Sequence, residues 1–251
     1  MLALAETLVS AFCHALGFNG NKRRPSVDVY ELAERAGAEA VFEEELREDG
    51  RIEESPLATR IFLWSAPNES RRRFTLGHEL GHLVLSDPKV FRLIQPEVGG
   101  ERVRVEQLCD AFSAELLMPR KWLVKRYGGC DERLNVLYDI AEEAGVSFSA
   151  GLTRLGTVLD WDSSLLYLRN GEAAPEVLAG PLNLARVTVS KESIRQLQAL
   201  PGSRKPIMKE IDLRLRGMNY RVSCELRTTR GGIMCLAPSP RASRRRLHQP
   251  A

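Results

Sequence analysis

The chain is poor in everything that would make it a disulfide-stapled or membrane protein. It holds 5 cysteines in 251 residues, Cys13, Cys109, Cys130, Cys224 and Cys235. They are odd in number and scattered, with no CxxC pair, which excludes a disulfide scaffold and a cysteine zinc ribbon. Free thiols fit a reducing cytosol, so the expected compartment is cytoplasmic. No uninterrupted apolar run is long enough to cross a bilayer, and no membrane partner is expected. The opening MLALAETLVSAFCHALGF lacks a basic leader and carries Glu6 and His14, so it reads as an amphipathic helix and not as a signal peptide. Charge imbalance is slight, at +3, and too small to imply nucleic-acid binding. The excess is also local, because Arg241 to Arg246 alone holds four arginines. That stretch reads as part of a disordered basic tail over 239–251.

What is present is ordinary for a folded protein: 43% hydrophobic and 27% charged residues. The length allows two modest domains, each able to bury a core. Histidine is scarce, with 4 in the chain, yet two of them fall in one stretch, RRRFTLGHELGHLVLSD from Arg71 to Asp87. His78 and His82 are four residues apart, so on a helix both imidazoles project from one face, about one turn apart. Two neutral nitrogens so placed can bind one divalent ion. Glu79 lies just off that face, placed to act on the attacking water without being a ligand. Phe74, Leu76, Leu80, Leu83, Val84 and Leu85 would embed the helix in a core. Ser70 or Asn68 would cap its start, and Asp87-Pro88 would stop it. The competing reading is a chance motif with two core histidines.

Before this helix, Leu4, Leu8, Phe12 and Leu16 mark one helical stripe over residues 2–17, ended by Gly17. A turn-rich basic loop, GFNGNKRRPS, follows. DVYELAERA is a second helix, capped by Ser26 or Asp28 and closed by Gly37. Ala38 to Phe42 and Ala58 to Ser65 read as strands, and the acidic run Glu43 to Glu54 as an exposed hairpin loop. Such a small sheet could take a peptide as an extra strand. Lys89 to Arg104 reads as irregular, with Pro96 and Gly99-Gly100. A helix over Val105 to Leu117 ends at Met118-Pro119.

Catalytic zinc commonly has three protein ligands and one open position. Glu106 is the best candidate for the third ligand; the alternative is a first-turn acid opposing the helix dipole. Asp110 lies on the same face and would accept from the second nitrogen of a ligand imidazole, fixing its tautomer; the alternative is a solvated face. Cys109 reads as a small buried residue, and Glu115 faces away from Glu106. Zinc suits two histidines and a carboxylate, as do manganese and iron(II).

RRRFTLGHELGHLVL followed by EQLCDAFSAELLMP resembles the ImmA/IrrE metallopeptidase family, with its RFTLAHELGH and E-x-x-x-N-x-x-A-x-x-LLMP signatures. SVDVYELAERAGAEAVFEE is similar to that family's start, and the likeness extends into Leu134 to Leu155. The resemblance implies a zincin-like, gluzincin-type domain in an α+β chain, with His78, His82 and Glu106 as metal ligands and Glu79 as general base. Gly77 stands where alanine is usual, and Asp110 where asparagine is usual. Members of the family cut Xre-type helix-turn-helix repressors and so derepress stress-response or DNA-damage genes. No segment here reads as the Xre-like domain many members carry, so the repressor target is expected to be a separate polypeptide. The alternative is a regulator that binds a repressor or DNA without cutting.

The expected organisation is a metallopeptidase domain with a small antiparallel sheet over 1–128, a helix-turn-helix-like helical segment over 129–160, and a C-terminal α+β module over 161–238. Asp131 to Leu155 reads as two helices around a Gly-Val-Ser turn. Its second helix has one basic residue, Arg154, too few for a groove reader, so direct DNA binding is not expected. In the C-terminal module, Ser163 to Tyr167, Arg186 to Val189, Tyr220 to Arg227 and Ile233 to Leu236 carry strand patterns, and SKESIRQLQAL a helix with a Ser190 cap. The resemblance implies a GAF-like sensor here; a scaffold or docking domain is the plainer reading.

Overall fold

The computed structural model describes residues 1–18, 27–43, 46, 48–98, 101–170, 172, 175–180, 187–200, 205–215 and 218–238. Ser26 and most of the basic loop, Gly99-Gly100 and the tail 239–251 lie outside these described residues. The chain divides into two compact units, one of residues 1–126 and 140–147, the other of residues 127–139 and 148–251.

In the first unit the apolar stripes become helices. α1 (Leu2–Ala15) buries Ala5, Leu8 and Cys13, and stops at Gly17 with φ +76°. α2 (Val29–Arg35) is capped by Asp28, whose side chain accepts from the amides of Tyr30 and Glu31. Three short strands follow: β1 (Ala38–Glu43), β2 (Gly50–Glu54) and β3 (Thr59–Trp64). Their order is β1-β3-β2. β2 pairs antiparallel with β3, but β1 pairs parallel with β3, so the expected antiparallel sheet is mixed. The reason is that β3 inserts between its two predecessors. The hairpin turn is Ser55 to Ala58, not the acidic run, whose last five residues are β2 itself.

α3 (Glu69–Ser86) begins at Asn68, whose side chain accepts from the Arg71 amide at 3.0 Å, and ends before Pro88. The stretch read as irregular contains a helix, α4 (Pro88–Val98). Proline is preorganised for a first helical position, and Asp87 accepts from the Lys89 amide at 2.7 Å, so the residues that stop one helix start the next. Pro96 falls in its last turn, where its missing amide leaves one carbonyl of the preceding turn without a helical donor and helps end the helix. α5 (Arg102–Leu117) starts one turn earlier than expected. α6 (Arg120–Tyr127) is an addition; the buried Glu115 carboxylate accepts from the Arg120 amide at its start, at 3.1 and 3.2 Å. α3 packs along α5, and Ile61 and Leu63 of β3 are fully buried on the sheet side.

α7 (Leu134–Ala144) and α8 (Phe148–Leu159) are the two expected helices, joined at Gly145 with φ +62°. The second unit is built on a six-stranded antiparallel sheet of order β5-β4-β9-β8-β7-β6. Its strands are β4 (Ser163–Arg169), β5 (Glu176–Ala179), β6 (Val187–Val189), β7 (Ile207–Leu215), β8 (Met218–Thr228) and β9 (Gly232–Pro238). β5 and β7 are additions. Lys209 interrupts the apolar face of β7 between Ile207 and Ile211, and pairing along β8 supplies what its local pattern lacks. α9 (Lys191–Gln198), capped by Ser190, lays Ile194 and Leu197 on the sheet against Leu166, Ile211, Val222 and Cys235. Glu225 of β8 accepts from the Leu134 amide at 2.6 Å and so caps α7 from a distance in sequence. Among the described residues, no helix is long and apolar enough to cross a membrane.

Candidate metal centre

Helical spacing on α3 puts the His78 and His82 rings 4.9 Å apart between centroids, with their Nε2 atoms 3.1 Å apart. α5 crosses at this level and delivers Glu106, whose Oε2 is 3.3 Å from His78 Nε2 and 3.5 Å from His82 Nε2. These three residues are a group whose donor atoms lie close enough to hold one metal ion. A tetrahedral ion with bonds of ~2.0–2.1 Å holds its ligand atoms about 3.3 Å apart, so the observed triangle has the edge length that such an ion requires. One turn further along α5, Asp110 Oδ1 accepts from His78 Nδ1–H at 2.8 Å. That bond leaves the His78 Nε2 lone pair facing His82 and Glu106. The donor set and its orientation therefore fit a divalent cation.

The electrostatics follow the same geometry. Burial pulls both imidazoles down. For His78, the hydrogen bond and charge of Asp110, with the charges of Glu79 and Glu106, outweigh that and leave it above the usual histidine value. His82 has no Asp110 of its own; burial and the nearby His78 leave it below. The Glu79 carboxyl is raised, first by burial and then by Glu106 and Glu48, against the opposing pull of His78. Glu79 is 8% exposed, whereas the Glu106 and Asp110 side chains are 42% and 58% exposed. The acid beside the histidines is thus sequestered while the donor cluster opens to solvent.

Cys109 is fully buried against Gly81 and stands outside the donor group. Glu115 points to the start of α6. Two residues near the site had no signal in the sequence. Gly50, the first residue of β2, lies against Glu79: a Cβ there would be 2.6 Å from Thr75 Cγ2 and 3.1 Å from Glu79 Oε1. Glu48, within the acidic run, is close enough to bear on Glu79. Both contacts are tertiary, and no spacing rule links residue 50 to residue 79.

Residues 33–155 match the family of the IrrE N-terminal-like domain. The chain is 34% identical over 98 residues to the radiation response metalloprotease IrrE of Deinococcus radiodurans, covering 38% of this chain and 30% of that protein. It is 34% identical over 101 residues to the protein of the same name from Deinococcus deserti, covering 38% of this chain and 35% of that one. The matched stretch therefore spans about a third of the length of these curated relatives. In fold, the chain is similar to a Mycobacterium tuberculosis transcriptional regulator, with a TM-score of 0.51 at 12% identity over 93% of this chain and 75% of that one.

Proposed function

Residues 33–155 belong to the IrrE N-terminal-like domain family, and from that premise we propose that the chain is a metal-dependent endopeptidase of the gluzincin type. The observation that carries this reading is the convergence of His78, His82 and Glu106 on one point, with a buried acid next to it. In this reading the three residues hold zinc, with manganese as the alternative, and Asp110 orients His78. The ion supplies Lewis acidity toward the scissile carbonyl and acidifies water. Glu79 takes the proton of the attacking water and returns it to the leaving amine. Burial raises its carboxyl, which is the direction that suits a group that must first accept a proton and then return it.

The substrate in this reading is an exposed loop of a separately encoded Xre-type helix-turn-helix repressor, and its cleavage derepresses stress or DNA-damage genes. The names of the Deinococcus relatives support the stress setting. β2 supports the mode of docking. It is an edge strand of the order β1-β3-β2, and its first residue touches Glu79. A peptide added along that edge would lie beside the base, held by main-chain hydrogen bonds.

The test is metal analysis of the purified protein, followed by incubation with the repressor encoded nearest its gene. Glu79→Gln is expected to retain the metal and to slow cleavage by about 10²–10⁴-fold. Undiminished cleavage removes Glu79 as the base. Full derepression by Glu79→Gln with the repressor uncut would instead favour the non-cleaving regulator.

A further inference from the structure

Where α3 crosses α5, Gly77 faces Ser113. Ser113 is fully buried, and its Oγ donates to the Phe74 carbonyl at 2.7 Å. A Cβ at residue 77 would lie 2.6 Å from Ser113 Oγ, but 3.3 Å from its Cβ and 3.4 Å from its Cα. The hydroxyl is the one neighbour too close for a methyl on residue 77 to tolerate; Ser113 Cβ, at 3.3 Å, is a tight contact that needs the helices to give by a few tenths of an ångström, and Cα, at 3.4 Å, is at the edge of ordinary contact. Turning the hydroxyl aside would not relieve this freely, because a fully buried O–H would lose its acceptor. One turn on, the helices meet again at Gly81, where a Cβ would be 3.1 Å from the backbone Cα of Cys109. Residues 77 and 81 on one helix and 109 and 113 on the other form two facing ridges of four-residue spacing. His78 and His82 each follow one of these glycines, Asp110 follows Cys109, and Glu106 lies one turn before Asp110. Any change in helix separation at the glycines is therefore felt directly by the polar groups beside them.

We propose that Gly77 and Ser113 are a matched pair that sets the approach of α5 to α3, and through it the convergence of Glu106 and Asp110 on the two imidazoles. They are positioning residues and touch no ion. The proposal rests on the metal reading above.

The test is a two-by-two set of Gly77→Ala and Ser113→Ala, read by melting temperature of the metal-free protein and by titration with cobalt(II), whose d–d absorption reports donor geometry. Gly77→Ala alone is expected to lower the melting temperature by roughly 2–4 °C, to weaken cobalt binding roughly tenfold and to alter the absorption band. Adding Gly77→Ala to Ser113→Ala is expected to do the reverse, raising stability and restoring the band, because the methyl then fills the space left by the hydroxyl. Cys109→Ala is expected not to rescue Gly81→Ala, since the opposing atom there is backbone. If Gly77→Ala fails to fold and the double variant folds, the pairing is upheld. If Gly77→Ala is equally harmful, or equally harmless, whether Ser113 is kept or carries Ser113→Ala, or if neither the single nor the double variant folds, it is overturned. Failure of the unmodified protein to bind cobalt would overturn the metal reading and the positioning role together, whereas failed rescue with cobalt binding intact overturns the pair alone.

Discussion

Asp110 decides which imidazole nitrogen faces the cluster. Its Oδ1 takes the Nδ1–H of His78 at 2.8 Å, so the Nε2 lone pair is presented to His82 and Glu106. A carboxylate only accepts, whereas an asparagine could rotate and offer its NH₂ to the same nitrogen, permitting the wrong tautomer. The acid also offsets burial, which otherwise depresses both rings. Asp110→Ala is therefore expected to weaken zinc binding by about 10–100-fold, and Asp110→Asn by less. Competition against a chromophoric chelator measures both, and zinc affinity unaltered by Asp110→Ala would reduce Asp110 to a solvated acid. The helical spacing made this residue readable, since 106 and 110 share a face. Ser113 was not readable in the same way, because its partner Gly77 is remote in sequence.

At the scale of elements, β2 packs tightly on α3 at Gly50, which lies against Glu79 and Thr75. A methyl at residue 50 must displace one of them, and Glu79 carries the proposed proton transfer while standing outside the donor group of His78, His82 and Glu106. Gly50→Ala is thus expected to leave metal content intact and lower turnover on the order of tenfold to a hundredfold, as small misplacements of a reacting group do. Steady-state cleavage kinetics beside metal analysis check this; loss of metal, or undisturbed turnover, would contradict it. The acidic run, which contains Glu48 and ends in β2, reads as a bare loop because Glu53, Glu54 and Arg51 hide the alternation. Pairing with β3 turns it into a strand. α4 was hidden for a related reason: its prolines look like breakers, but Pro88 stands at the one helical position that suits it.

At the scale of the molecule, the whole donor group lies in the unit of residues 1–126 and 140–147. An ion bound there stabilises what it touches, by about 2.7 kcal/mol at a hundredfold excess over its dissociation constant. Zinc returned to chelator-stripped protein is accordingly expected to slow amide exchange in α3 and α5 and to leave β8 and β9 unchanged. Hydrogen exchange followed by mass spectrometry reads this segment by segment, and an equal gain in both places would refute it. By itself the sequence determined a helix that starts at Asn68 or Ser70 and stops before Pro88, the four-residue spacing of His78 and His82, and the shared face of Glu106 and Asp110. Each of these depends on the helical period and on neighbours within a turn or two. Only the tertiary structure decided that β1 runs parallel beside β3, that Gly50 rests on Glu79, that Glu225 caps α7 and that Gly77 opposes Ser113. Those contacts join residues far apart along the chain, where packing and not local periodicity selects the partner.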